Sequence, residues 1–307
     1  MISAVNRAVA AYLGLAIGDA LGATVEFLTP NEIRHQYGRH EEIVGGGWLK
    51  LKPGHVTDDT TMALALGEAV LARGGKVEAD AVAQALDTWM RGKPVDIGNT
   101  VRRNLITFRN TGNPEAPLSE HDAGNGAAMR LLPVALATFG LPQAETAAAL
   151  RAQGHVTHHN PLSDSASLTL SLLVHDMLNG ITDREMLKDR AQALTHEQPI
   201  FDDRGKRRDH PSGYIVDTMQ AVFQAFFGTD SFEACLMDVV NRGGDADTTG
   251  AIAGMLAGAR YGPDAIPPRW LTALDPKVRK ACEAQAHALM AIRSTSCPAV
   301  AAHMEIA

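Results

Sequence analysis

The sequence has few cysteines, no long apolar run and no surplus of basic residues, and each shortage removes a class of protein. Its three cysteines, Cys235, Cys282 and Cys297, are odd in number and lack CxxC spacing. That excludes a disulfide framework and a zinc ribbon, and it fits a reducing cytoplasm. No apolar stretch reaches the ~20 residues that a membrane-spanning helix needs. Lys and Arg number 28 against 35 Asp and Glu, a net charge of -7, so no sequence-wide basic field exists to hold a nucleic-acid backbone. Strand-like alternation is confined to Trp48-Leu49-Lys50-Leu51-Lys52, after Gly45-Gly46-Gly47, and is too short for more than a hairpin edge. No stretch has linker composition, so the chain is read as one domain over 1–293 followed by a tail over 294–307.

What is present is core-forming helical sequence, 45% hydrophobic and 21% charged. Val5, Val9, Leu13, Ile17 and Leu21 recur every four residues, the stripe of a core helix. That period, with Asp19, argues against taking the apolar start for a signal peptide. Met62, Leu66, Ala69 and Val70 make a second apolar face, and Val82, Leu86, Trp89 and Met90 a third. Ile215, Met219, Val222, Phe223 and Phe226 make a fourth. Leu168 to Leu178 is apolar nearly all round and predicts a central helix, whereas the mixed charges of 202–210 predict a solvated loop.

Two distant segments share one pattern, Asp-Thr-Thr-x-Ala-aliphatic-Ala: Asp59 to Ala65 and Asp247 to Ala253. Each opens a helix, with Thr57 and Asp58 before the first and Gly243-Gly244-Asp245 before the second. The plain alternative is capping, since Asp and Thr are good N-caps and suit the positive end of a helix dipole. One cap per helix would suffice, yet each start carries two carboxylates and a hydroxyl. Carboxylates that close repel unless a proton or cation lies between them. With only oxygen donors, such a site selects hard ions, Mg²⁺ or Mn²⁺, over zinc, and two facing clusters suit two ions ~4 Å apart. Gly250, Gly254 and Gly258 add a side-chain-free groove along the second helix, where a neighbouring backbone can approach.

Four motifs in order then carry a resemblance: Gly18-Asp19-Ala20-Leu21-Gly22, Thr57-Asp58-Asp59-Thr60, Gly124-Asn125-Gly126-Ala127-Ala128-Met129-Arg130 and Gly243-Gly244-Asp245-Ala246-Asp247-Thr248. Together they resemble the ADP-ribosylglycohydrolase family. The resemblance implies an all-α, single-domain orthogonal helical bundle with a dimetal centre at helix N-termini. It would make Thr57, Asp58, Asp59, Asp245, Asp247 and Thr248 the metal ligands. It also brings Glu26 to the site, a residue that alone would be read as a surface carboxylate. Asp96 by itself could equally cap the helix beginning there; the family pattern makes it a catalytic carboxylate, first choice of general base with Glu26 second. Gly124, Asn125 and Gly126 form a turn whose N–H groups could hold a diphosphate or could be only a flexible loop. His155, His158 and His159 lack a Cys or fourth ligand spaced nearby, so zinc is not expected there, and His158 is read as a substrate-side hydrogen-bonding residue. Tyr214 resembles the family position that stacks on adenine, though a lone tyrosine is more often core.

The branch of the family most resembled removes ADP-ribose from an arginine of dinitrogenase reductase, the nitrogenase iron protein. That implies an ADP-ribosylated protein substrate, a PII-type nitrogen regulatory partner, and a cytoplasmic chain recruited peripherally to the membrane through such a partner. Three other readings are weighed: an ADP-ribosyl hydrolase with another acceptor such as serine, a non-catalytic ADP-ribose-binding module, and a prenyl diphosphate synthase. The last lacks its DDxxD spacing here.

Overall fold

Residues 2–296 are described by the computed structural model. Its first helix, α1 (Ala4–Gly22), starts on Ser3, whose side chain accepts the Asn6 N–H at 3.2 Å. From residue 10 to residue 26 every residue is buried. The expected stripe is therefore only part of the story: Val5 and Val9 are among the less buried residues of α1, because its Ala- and Gly-rich faces are packed as well.

Fourteen further α-helices follow among the described residues. They are α2 (Pro30–Tyr37), α3 (Asp58–Ala72), α4 (Ala79–Arg91), α5 (Asn99–Thr111), α6 (Gly126–Met129), α7 (Leu132–Ala137) and α8 (Gln143–Gly154). Then come α9 (Pro161–Leu178), α10 (Arg184–Glu197), α11 (Ile215–Gly228), α12 (Phe232–Val240), α13 (Ala246–Tyr261), α14 (Pro268–Ala273) and α15 (Pro276–Ser296). The fold is all-α, and the apolar faces read from sequence fall on α3, α4 and α11. The expected central helix is α9, which touches α1, α6, α7, α8, α10, α11 and α13. In place of a hairpin edge there is one bridge, Gly46 with Leu51, closed by N–H to carbonyl bonds of 2.8 and 2.9 Å.

What positions the site is the crossing of α1 and α13. Gly14 lies against Gly254, Gly18 against Gly250, Gly22 against Ala246 and Gly258 against Ala10. These contacts run in opposite order along the two helices, so the helices are antiparallel. The C-terminal end of α1 therefore lies beside the N-terminal end of α13. A Cβ at any of these glycines would overlap a backbone carbonyl of the other helix. Removing side chains costs up to about 1 kcal/mol of helix propensity per glycine. The approach it permits is close enough to bring the loop after α1 onto the residues before α13. There Phe27 N–H bonds to the Gly244 carbonyl at 2.7 Å and Gly244 N–H to the Leu28 carbonyl at 3.0 Å.

The charged loop at 202–210 is paired partly within itself and partly with α11 and α12. Arg204 pairs with Asp202, Arg207 with Asp209 and Asp238, and Arg208 with Gln220 and Asp217. Helix α15 continues to Ser296, into the expected tail; residues 297–307, Cys297 included, lie outside the described residues. No helix of the described residues is long and apolar enough to cross a membrane.

Candidate active site

Helices α3 and α13 begin side by side, and neither uses its own N-cap side chain for capping: Thr57 and Asp245 make no side-chain cap bond. Capping of α3 comes from another helix. Asp19 of α1, fully buried, accepts the Thr57 N–H at 2.9 Å, the Thr60 N–H at 3.1 Å and the Thr60 hydroxyl at 2.5 Å. Burial, against those hydrogen bonds, pushes the Asp19 carboxyl up to about 6. With the orphan N–H groups of the first turn served from behind, Asp58 and Asp59 are free to face forward.

The two repeats meet directly. Thr248 of α13 donates to the Asp59 carboxylate of α3 at 3.2 Å, and Thr57 donates to the same oxygen at 3.3 Å. The other oxygen of Asp59, Oδ1, is buried without any hydrogen-bond partner. Asp245 is held by the Asn125 amide at 2.5 Å, and Asn125 is itself fixed to the Thr218 hydroxyl at 2.9 Å. Asp247 is 2% exposed. Carboxylate oxygens of Glu26, Asp96 and Asp247 lie within 4.8 Å of one another.

Crowding shows in the protonation of these groups. Burial first, then the charges of Asp96 and Asp19, pushes Asp58 up to about 7. Burial first raises Asp59 and Asp247 well above the ordinary carboxylate range, with neighbouring carboxylates adding to it. Glu26, 5% exposed, accepts the Trp48 indole N–H at 2.6 Å; burial, followed by the charges of Asp245, Asp96 and Asp58, pushes it up to about 8. An orphaned buried carboxylate oxygen within a group of oxygen donors that repel one another is what a hard divalent cation satisfies. The residues present fit a pair of such ions.

In front of this cluster opens a cleft of about 420 Å³, large enough for a small ligand. Glu26, Asp58, Asp96, Asp245 and Asp247 line it, and among the described residues no lysine or arginine does. Asp96 is not a helix cap, since Gly98 is the N-cap of α5 and Asp96 accepts only the next residue's N–H, at 2.7 Å. Phe27 and Trp48, absent from the expected site, line the cleft too. No local sequence pattern marks them.

Gly124, Asn125, Gly126 and His158 line the opposite wall. The turn at Gly124 to Gly126 does not offer a full set of free N–H groups, because Asn125 N–H donates to the Gly213 carbonyl at 3.0 Å. Its glycines make room for His158: a Cβ at Gly124 or Gly126 would press on the imidazole. Burial, with Arg130 and Arg103 adding to it, pushes His158 down to about 3, so it lines the cleft as a neutral ring. Tyr214 does not line the cleft; its backbone bridges Gly124, and the side chain is 37% exposed. Near His155 and His159 the chain does bring a third ligand, Glu115, at 3.5 and 3.6 Å from a ring nitrogen of each. Those rings are stacked, 3.8 Å apart and 18° from parallel, so one ion cannot lie in the plane of both.

The fit extends to known proteins. Residues 2–299 match the model of the family described as ADP-ribosylglycohydrolase. The chain belongs to the ADP-ribosylglycohydrolase family. Among its relatives in that family is the ADP-ribosyl-[dinitrogen reductase] glycohydrolase of Rhodospirillum rubrum, 50% identical over 94% of this chain and 96% of that one. The ADP-ribosylarginine hydrolase Tri1 of Pseudomonas putida is 35% identical over 87% of this chain and 74% of its own. A solved structure titled "ADP-ribosylglycohydrolase-related protein complex" superposes with a TM-score of 0.84 at 35% identity, covering 95% of this chain and 99% of that one. The ADP-ribosylglycohydrolase fold here is thus matched over nearly its whole length.

Proposed function

We propose that this chain is a hydrolase that cleaves the N-glycosidic bond between ADP-ribose and an arginine side chain, with dinitrogenase reductase as its protein substrate. The observation that carries the reading is the meeting of two acid-rich helix starts, distant in sequence, at one cleft. The arginine linkage is supported by relatives whose names specify dinitrogen reductase and ADP-ribosylarginine.

Thr57, Asp58, Asp59, Asp245, Asp247 and Thr248 would hold two divalent cations, Mn²⁺ or Mg²⁺. Bound there, the ions would supply positive charge that orients substrate oxygens and acidifies water. Asp96, half-buried and free of any capping duty, takes a proton from the attacking water. As the new C–O bond forms at the ribose carbon, the C–N electron pair passes to the guanidinium nitrogen, and arginine departs as a neutral guanidine that is then reprotonated. Glu26, grouped with Asp96 and Asp247, stands where the proton taken by Asp96 can be returned to the departing guanidine. Positive charge developing on the ribose ring is favoured by the surrounding carboxylates. His158, neutral, and Asn125, which fixes Asp245, shape the opposite wall.

A cytoplasmic location and peripheral recruitment to a membrane by a PII-type protein belong to the same proposal. They rest on the resemblance to the nitrogenase-linked relative.

The deciding experiment treats ADP-ribosyl-arginine and ADP-ribosyl-serine proteins in parallel, with and without chelator. Release from arginine that stops on chelation is expected, with serine left intact. Preference for serine, or full release in chelator, would overturn the assignment. ADP-ribose binding with no release from either protein would instead favour a non-catalytic module.

A further inference from the structure

Two large aromatic side chains at the cleft are left in solvent. Phe27 is 58% and Trp48 51% exposed, their ring centroids are 5.5 Å apart, and the planes are inclined by 48°. Neither position is accidental. Phe27 has a φ of +64°, a left-handed backbone that costs an L-residue about 1 kcal/mol or more, and the bond from its N–H to Gly244 holds it there. Trp48 sits in the turn closed by Gly46 and Leu51, with its indole N–H fixed to Glu26. Backbone strain and a partly buried hydrogen bond thus hold this exposed aromatic corner in place.

The corner lies at the reacting end of the cleft, since Trp48 is one hydrogen bond from Glu26 and Glu26 is grouped with Asp96 and Asp247. Adenine, at the far end of ADP-ribose, does not belong there; the group leaving the ribose carbon does. Before the bond breaks that group is a flat, delocalised cation, and the cleft lining holds five carboxylates and, among the described residues, no lysine or arginine. Guanidinium stacks on aromatic faces, a property that neither a serine hydroxyl nor an ammonium shares to the same degree.

We propose that Phe27 and Trp48 form the acceptor subsite, receiving the guanidinium of the arginine side chain over their ring faces and so selecting arginine over serine. The inference rests on the arginine-hydrolase reading above and names the part of the site that recognises its acceptor.

The test uses the full chain loaded with Mn²⁺ and compares Phe27→Leu, Trp48→Leu, the double variant and Trp48→Phe. Each loss of a ring should raise KM for ADP-ribosyl-arginine protein about two- to five-fold, and the double variant about ten-fold; in Phe27→Leu the loss falls on KM rather than kcat, and the kcat of Trp48→Leu follows that of Trp48→Phe, which loses the same N–H to Glu26. Trp48→Phe loses the N–H and keeps a ring, so its KM stays near that of the parent whatever its kcat. Affinity for free ADP-ribose stays unchanged in all four. Titration of methylguanidinium, followed by tryptophan emission, reads the subsite without turnover: a saturable shift is expected in the parent and a weaker one in Phe27→Leu. Unchanged KM in the double variant, a parallel loss of ADP-ribose affinity, or no response to methylguanidinium would each overturn the proposal. Failure of the parent to cleave ADP-ribosyl-arginine with the methylguanidinium response intact would refute the hydrolase reading alone.

Discussion

Gly18 and Gly250 stand back to back, each where a Cβ would overlap the carbonyl oxygen of the other. This contact sets the distance between α1 and α13, and through it the distance between the Glu26 loop and Asp247.

Gly18→Ala or Gly250→Ala should therefore destabilise the chain by about 1–3 kcal/mol, the usual range for an overpacked core. Denaturant unfolding measures it. A more telling outcome is a fall in divalent-cation affinity, because pushing α13 away from α1 also shifts Asp247 and Thr248. Both properties unchanged would show that the helices separate freely, contrary to the packing described.

Asp19 acts through others. Asp19→Ala strips acceptors from two backbone N–H groups and a hydroxyl in a fully buried setting, at a cost of about 3 kcal/mol. Thr57, Asp58 and Asp59 lose their fixed turn, so cation affinity should fall although Asp19 is not among the proposed ligands. Thermal melts with and without Mn²⁺ separate the two effects.

Asp59→Ala and Asp247→Ala should abolish hydrolysis. Asp59→Asn makes the sharper test, since it replaces a buried carboxyl that is crowded by other carboxylates and whose Oδ1 has no partner. In chelator this variant should melt higher than the parent, and with Mn²⁺ it should lose most of the cation-dependent rise. A variant that hydrolyses at the parent rate would remove Asp59 from the centre.

The pH dependence of the metal-free chain follows from the same crowding. Asp19, Asp58 and Glu26 titrate at about 6, about 7 and about 8 in the folded chain, against ordinary values near 4. Between about pH 4 and pH 8 the folded state holds more protons than the unfolded state, so stability falls as pH rises through that window. The melting temperature in chelator should drop from pH 5 to pH 8. Mn²⁺ should raise it more at pH 8 than at pH 5, with protons released on binding. A flat profile would mean that the carboxylates are not crowded.

Much of this centre is legible in the residues. The duplicated Asp-Thr-Thr segments announce two equivalent helix starts, and in both the second threonine bonds back to the carbonyl four residues earlier, Thr61 to Thr57 and Thr249 to Asp245. Gly250, Gly254 and Gly258 announce a close approach. Their partner stripe, Gly14, Gly18 and Gly22, has the same four-residue spacing and was equally readable, as was Asp19, a lone carboxylate in an apolar helix, which burial makes costly unless hydrogen-bonded. The Asn125 link to Asp245, the clearance of Gly124 and Gly126 for His158, and the corner of Phe27 and Trp48 had no such signal. Each joins segments whose separation in the chain carries no period.

By itself the sequence determined the helices, the chemistry of the donors and the positions where side chains were removed, because these follow from local period, residue type and spacing. Only the tertiary structure decided that Asp19 would cap α3 from behind, that Glu26 would be buried among like charges, and that two aromatic rings would stay in water at the cleft. Burial and charge proximity are properties of the packed chain, and no residue has them until its distant neighbours arrive.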